Sequence, residues 1–378
     1  MERIKTVLIS TFPLPYEGIG SWTTELNYLL ERENEIDYII CPSSIIKIEK
    51  PVQFFVKPRT FIDKIKGKFN YGNRFNPFIR GLKKVLEIED KIILQVKDNL
   101  GLLKELLLFI KKNELRNKIY IQYHYHSFLP FISENWMIEQ IDELVLLTDN
   151  SYYAIKSVTD SLALRISILS DGVDSTKFKP IGNQAEKKQL REKLSIEQNK
   201  MIFVWCSQDR KKKGLDIILS TWEKLFKNNE YIELLIFGID RDIKMEGIKM
   251  MGKVPNQEII AYHQASDFYL FPSLCQEGFG LSLVEAMKCG SYCISAKNGA
   301  SEFILGKGTY GKLIERPHIV EDWVRAIEES IKEYNENNRL NPYLQNIPKN
   351  ILDIHDWHLG YNSLLKEAKK SFNHRYYI

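Results

Sequence analysis

Short apolar runs alternate with helical patterns along this chain, and they do so in two series. The first series holds TVLIST (6–11), DYIIC (37–41), KIILQV (91–96), KIYIQY (118–123), ELVLLT (143–148) and RISILS (165–170). The second holds MIFVWC (201–206), IELLIFG (232–238), DFYLFPS (267–273) and YCISA (292–296). Runs this short and this continuously apolar predict strands buried on both faces, the condition of parallel sheets built from βα units. The intervening segments carry the helix period. Leu215, Ile218, Leu219, Trp222, Leu225 and Phe226 fall at i, i+3, i+4 and i+7 spacing, and 20–32 and 100–112 also read as helices. The polar segment 182–200 lies between the two series. With 378 residues, 44% of them hydrophobic, the chain is long enough for two α/β domains with separate cores.

Several function classes drop out on composition. The net charge of +4 is too small for a nucleic-acid-binding surface, so no nucleic acid partner is expected. Five scattered cysteines without CxxC spacing read as reduced thiols filling apolar space. TVLIS is followed at once by TFPLPYEG, too polar and broken for a membrane span or a signal peptide, and the expectation is a soluble cytoplasmic protein.

FPSLCQEGFGLSLVEAMKCG (271–290) runs from a strand through two glycines into an amphipathic helix, with Glu277 before the helix and Glu285 inside it. On a single helix, acids eight residues apart would be separated by about 12 Å along the axis. With Glu277 in the turn and Glu285 little more than one turn into a helix starting near Leu281, both can line one pocket. That pocket sits beyond the carboxyl end of a parallel strand, where open α/β sheets bind ligands. Gly278 and Gly280 allow close backbone approach, and the helix start favours a phosphate. Carboxylates for hydroxyls beside a phosphate site suit a nucleotide sugar.

This segment resembles the E-x7-E motif of retaining glycosyltransferases of the GT-B fold, in particular glycosyltransferase family 4. SDGVDSTKFKP (170–180) is similar to that family's domain junction, KKKGLDIILSTWEKL (211–225) to its KG-plus-helix element, and NGASEFI (298–304) with GKLI (311–314) to the segment after E-x7-E. HDWHLGYNSLLKEA (355–368) resembles its closing Trp-containing helix, and GIGSWTTELNYLL (18–30) its glycine-rich loop and helix. The resemblance implies two Rossmann-like parallel-sheet domains facing a central cleft. They are an acceptor-side domain over 1–180, to which a C-terminal helix at 356–378 returns, and a nucleotide-sugar-binding domain over 181–355.

The resemblance also implies roles. Glu285 would hold the donor ribose and Glu277 the sugar hydroxyls, with the backbone of Gly278, Phe279, Gly280 and Leu281 on sugar and phosphate. Lys213, directly before Gly214, would meet the diphosphate. The family's arginine position is Gln208 here, so either Arg210 or Lys212 supplies the second cation. The histidine near the anomeric centre is His126, or else His124, and Gly20 brings the acceptor-side loop to the diphosphate. The nucleotide-diphosphate sugar is a co-substrate, and neither a cofactor nor a metal is implied. The implied activity is transfer of a sugar to a glycan or lipid-linked hydroxyl with retention, in cell-surface polysaccharide synthesis.

Two other constellations point elsewhere. Asp240 and Asp242 in FGIDRDI mimic the D-x-D site of metal-dependent glycosyltransferases, the alternative mechanism. A phosphorylase or epimerase on the same fold and a non-catalytic sugar-binding relative are further alternatives. Residues 57–84 carry nine Lys or Arg and one acid, interleaved with Phe61, Phe69, Tyr71, Phe75 and Phe78. Such a segment suits an anionic membrane surface, and so peripheral association at the inner face of the cell membrane.

Overall fold

The computed structural model describes all residues except 1–3, 17–20, 45, 47, 57–73, 128–134, 160–161, 228, 338–350, 352 and 375–378. The chain forms two compact units, one of residues 1–171 with 354–378 and one of residues 172–353. Residues 172–180 therefore belong with the second unit.

In the first unit, β1 (Lys5–Ile9), β2 (Tyr38–Pro42), β3 (Val52–Val56), β4 (Ile92–Lys97), β5 (Ile119–Tyr125), β6 (Glu143–Leu146) and β7 (Arg165–Ile168) form one parallel sheet in the order β3-β2-β1-β4-β5-β6-β7. Its helices are α1 (Ser21–Leu30), α2 (Asn76–Leu86), α3 (Leu100–Lys112), α4 (Asn135–Ile138) and α5 (Asp149–Lys156). The strands are apolar on both faces because both are covered. Val7, Ile9, Leu94, Val96, Ile121 and Tyr123 pack in a core with Phe78, Leu82, Leu102 and Leu106. Leu8, Ile39, Ile93 and Tyr120, from the alternate positions, pack in a second core with Leu26 and Leu29.

The second unit contains α6 (Gln184–Lys193), β8 (Met201–Cys206), a 3-10 turn (Lys211–Lys213), α7 (Leu215–Phe226), β9 (Ile232–Phe237), β10 (Ile248–Gly252), α8 (Asn256–Ala265), β11 (Phe268–Phe271), α9 (Leu281–Lys288), β12 (Tyr292–Ala296), α10 (Ser301–Ile304), β13 (Gly311–Ile314) and α11 (Val320–Glu336). Its sheet is also parallel, in the order β10-β9-β8-β11-β12-β13. The strand order thus reverses between β8 and β11, and in the first sheet between β1 and β4. In doubly wound sheets the crevice for ligand lies at such a reversal, outside the carboxyl ends of the two strands.

The last helix, α12 (Ile354–His374), belongs to the first unit. Trp357, Tyr361, Leu365, Ala368 and Phe372 recur at three- and four-residue spacing and lie in the core with Leu26 and Leu29 of α1. Tyr361 OH donates to Gln95 Oε1 (2.8 Å), Gln95 Nε2 to Gln122 Oε1 (2.5 Å), and Gln122 Nε2 to Glu143 Oε2 (2.8 Å), while Ser167 Oγ reaches Glu143 Oε1 (2.5 Å). This buried polar ladder crosses four adjacent strands and ends on the returning helix.

Three strands lay outside the apolar runs of the sequence, namely β3, β10 and β13. Each is at or beside a sheet edge, half exposed, and so lacks the continuous apolar pattern of a central strand. In the basic segment 57–84, residues 57–73 lie outside the described residues. Phe75 and Phe78 are 2% and 8% exposed, so these two rings belong to the core and are not available to a membrane. Among the described residues no helix is long and apolar enough to cross a membrane.

Leu365→Ala removes a fully buried side chain between α12 and α1, and is expected to cost about 2 to 5 kcal/mol. Hydrogen exchange should show protection falling in β1, β2, β4 and β5 while β8, β9, β11 and β12 keep theirs. Equal loss in both units would mean that α12 does not belong to the first core.

Candidate active site

The loop after β8 and the loop after β11 flank the strand-order reversal of the second sheet, and they are locked together. Leu274 N donates to Lys212 O (2.8 Å). Gly214 sits at φ +72°, and a Cβ there would lie 1.9 Å from Pro272 O, so only glycine lets the basic turn close on the neighbouring loop. That closure places Lys213 Nζ 2.5 Å from Glu277 Oε1. Ser273 Oγ also donates to Glu277 Oε1, and Cys275 Sγ is 3.6 Å away. A third loop, after β12, supports them from behind. Asn298 Nδ2 donates to Ser273 O (2.8 Å), Gly299 N to Gln276 Oε1 (2.9 Å) and Ala300 N to Glu277 O (3.0 Å). A Cβ on Gly299, at φ +62°, would stand 2.4 Å from Glu277 N.

Gly280, at φ +98°, turns the chain into α9, and no side chain caps that helix start. Its first backbone N–H groups and dipole are therefore open to an anion. Phe279 is buried, which leaves only its backbone for a ligand, and Gly278 and Leu281 are half-buried beside it.

The two glutamates differ in electrostatic state. Burial pushes the Glu277 carboxyl up, but Lys213, Ser273 and Cys275 together hold it below its ordinary value. Glu285 forms no ion pair among the described residues, and desolvation pushes its carboxyl up to about 7. Its charge acts on Cys206 at the end of β8 and on Tyr269 in β11, the two strands at the reversal. Glu277 is thus a committed anion and Glu285 an unpaired one that titrates near neutrality.

Arg210 and Lys212 are both exposed, and neither has a side-chain ion pair among the described residues. The basic turn is held by another arginine. Arg241 Nε donates to Asp209 Oδ2 (2.9 Å) and its Nη1 to Asp216 Oδ1 (2.7 Å), tying the loop after β9 to the segment around the turn. Asp240 and Asp242, the alternative metal pair, each meet a different lysine: Asp240 pairs with Lys253, and Asp242 Oδ2 is 3.4 Å from Lys244 Nζ. Among the described residues no group of three or more His, Cys, Asp or Glu is placed to hold a metal.

In the first unit, Gly20 lies outside the described residues. His124 Nε2 is 3.1 Å from Gln122 Oε1 and 3.2 Å from Gln95 Nε2, so this histidine joins the buried ladder. His126 is half-buried just past β5, and its backbone N donates to Asp98 Oδ1 (3.3 Å). Burial, with the Lys97 charge second, pushes the His126 imidazole down to about 3 and keeps it neutral.

Beside it is a cluster that residue patterns did not reveal. Lys97, Glu25 and Asp171 are buried together, and Lys97 Nζ stands 4.8 Å from the Tyr361 ring centroid. Desolvation lowers Lys97 to about 8 against the pull of Glu25 and Asp171, and raises Asp171 to about 6 against Lys97. The only cue in the sequence is that KIILQVKD ends an apolar strand on a Lys-Asp pair. Ser273, Gln276 and Asn298 were likewise not singled out, because short polar residues in loops look alike without their partners.

Two doubly wound parallel sheets, each with its strand-order reversal, define the GT-B fold. Among solved structures the chain superposes on sucrose-phosphate synthase from Thermosynechococcus elongatus with a TM-score of 0.71 and 14% identity, covering 98% of this chain and 100% of that one. On Anabaena HepE, in complex with UDP and glucose, the TM-score is 0.69 at 15% identity with the same coverages. Residues 186–346 match the model of glycosyl transferases group 1. The D-inositol 3-phosphate glycosyltransferase of Corynebacterium aurimucosum is 24% identical over 215 residues, 52% of this chain and 50% of that protein. A glycosyltransferase of Methanocaldococcus jannaschii, MJ1069, is 28% identical over 219 residues, 55% and 52% of the two chains. The chain spans about half the length of the curated relatives it matches.

The unpaired state of Glu285 has a consequence for stability. A carboxyl raised in the folded state favours folding at acid pH, and that advantage is lost as pH rises from its unfolded value through about 7. Glu285→Gln is therefore expected to melt close to wild type at pH 5 and a few degrees higher at pH 8. An equal difference at both pH values would show that Glu285 is paired or solvated.

Proposed function

We propose that the protein is a retaining glycosyltransferase that moves a sugar from a nucleoside-diphosphate donor to a hydroxyl of a glycan or lipid-linked acceptor. The observation that carries this reading is the Lys213–Glu277 pair at the strand-order reversal, with the unpaired Glu285 little more than one turn into the following helix. In this reading the diphosphate lies at the start of α9, against the backbone of Gly278 to Leu281, and Lys213 meets it. Arg210 or Lys212 supplies a second positive charge. Glu285, when ionised, accepts from the ribose hydroxyls, and Glu277 accepts from hydroxyls of the sugar. His126, neutral at physiological pH, is the acceptor-side hydrogen-bonding group of this reading.

The step breaks the bond from the anomeric carbon to the diphosphate oxygen, and the electron pair leaves with the diphosphate. The acceptor oxygen forms the new bond on the same face and passes its proton to the departing phosphate. Negative charge grows on the diphosphate, so preorganised cations and backbone N–H groups lower the barrier. No metal is needed where these groups neutralise it. For the acceptor we infer cell-surface polysaccharide synthesis. The exposed Arg74, Arg80, Lys83 and Lys84 of the basic segment would draw a cytoplasmic enzyme to an anionic membrane surface.

Nucleotide release from UDP, GDP and ADP sugars tests the reading, with UDP-glucose first because HepE is in complex with UDP and glucose. Lys213→Ala is expected to lose about 2 to 4 kcal/mol of transition-state stabilisation, Glu285→Ala to raise the donor KM, and Glu277→Ala to lower kcat. Anomeric NMR of the product should show retention. A silent Lys213→Ala would remove its diphosphate role.

Exhaustive chelation should leave turnover intact. Loss of activity with EDTA and rescue by manganese would instead favour metal-dependent transfer through Asp240 and Asp242.

A further inference from the structure

All hydrogen bonds and ion pairs that the described residues make with the Glu277 carboxylate fall on one of its two oxygens. Oε1 takes Lys213 Nζ, Ser273 Oγ and Cys275 Sγ, and Oε2 takes none. Of the three donors, Ser273 is the one fixed on both sides. It is buried two residues past β11, its carbonyl accepts from Asn298 Nδ2 (2.8 Å), and the residue after it is bonded by its backbone to Lys212 O (2.8 Å). Lys213 is a flexible point charge on a long stem and is partly exposed.

Resting on the glycosyltransferase reading, we propose that Ser273 is the positioning residue that holds Glu277 by Oε1 so that Oε2 presents to the donor sugar while Lys213 turns to the diphosphate. When the donor enters, the lysine acquires a more highly charged partner than the carboxylate it meets in the free protein. Glu277 then loses its charged neighbour at the moment it must be aimed at a sugar hydroxyl. The hydroxyl of Ser273 does not move with the lysine, because the Asn298 side-chain amide holds the Ser273 carbonyl and Lys212 O holds the N–H of the next residue. A buried hydrogen bond to an ionised carboxylate is strong enough to keep one rotamer, and a carboxylate held in place is what a positioned sugar requires. Cys275, a weak donor at 3.6 Å, cannot replace it.

The test is steady-state kinetics of the full chain, using a nucleotide sugar from which the wild-type protein releases nucleotide. Ser273→Ala is expected to lower kcat about tenfold or more, the worth of a hydrogen bond to a charged group, with the donor KM changed less than about twofold. The acid limb of the kcat profile should move to higher pH, since a bond to the ionised form holds the carboxyl down. Ser273→Thr should restore both. In a Glu277→Gln background, adding Ser273→Ala should change kcat by less than about twofold, because the serine acts only through the carboxylate. Where Ser273→Ala does not fold, Ser273→Cys keeps the volume with a weaker donor and should give the same two shifts in smaller measure. Wild-type kcat and pH profile in either variant, or effects of Ser273→Ala and Glu277→Gln that multiply, would overturn the proposal while leaving the glycosyltransferase reading in place. If the wild-type protein releases nucleotide from none of the donors, the reading fails and the proposal with it.

Discussion

The closure of the 211–214 turn onto the 272–277 loop is the contact on which the second unit's site depends. It joins the ends of two strands that are neighbours in space and more than sixty residues apart in the chain, and it needs Gly214 because no other residue lets the backbone approach so near. Lys213 and Glu277 meet only as a result. Their short ion pair is partly exposed, and such pairs contribute little to stability. Its importance is geometric, since the main-chain bonds and the two glycines set it in place.

The two glutamates of the same segment show how local environment assigns different chemistry to one residue type. Glu277 lies among donors and stays ionised. Glu285 lies on a helix face with no ion pair among the described residues, and desolvation pushes its carboxyl up to about 7. In the first unit, Lys97, Glu25 and Asp171 share a buried, mutually charged cluster at the carboxyl end of β4. In both units the stressed groups gather at the strand-order reversal.

The first unit spends its buried polarity differently. Gln95, Gln122, Glu143, Ser167 and Tyr361 satisfy one another across the sheet, and the ladder fastens α12 as a specific neighbour where an apolar face alone would allow sliding. His124 is absorbed into that network. This separates it from His126, two residues on and just past the strand, whose ring has no bond to the ladder among the described residues.

The central strands of both sheets were legible in the chain because burial on both faces leaves an unbroken apolar run such as IELLIF, whereas the edge strands VQFFV and IKMMG, half exposed, carry no such mark. The E-x7-E spacing and the lysine before Gly214 were legible too, since both depend on the local passage from strand through glycine to helix. What the sequence by itself determined is therefore everything governed by nearest neighbours along the chain: periodicity, breakers, and the residue types at the ends of strands. Which oxygen of Glu277 is held, that Ser273 helps to hold it and Asn298 braces Ser273, that Arg241 braces the basic turn, and that Lys97 lies buried among carboxylates were decided by tertiary structure alone. Each of these depends on loops from different strands converging at one edge of a sheet, and hydrogen bonds and desolvation act over a few ångströms of space with no regard to distance along the chain.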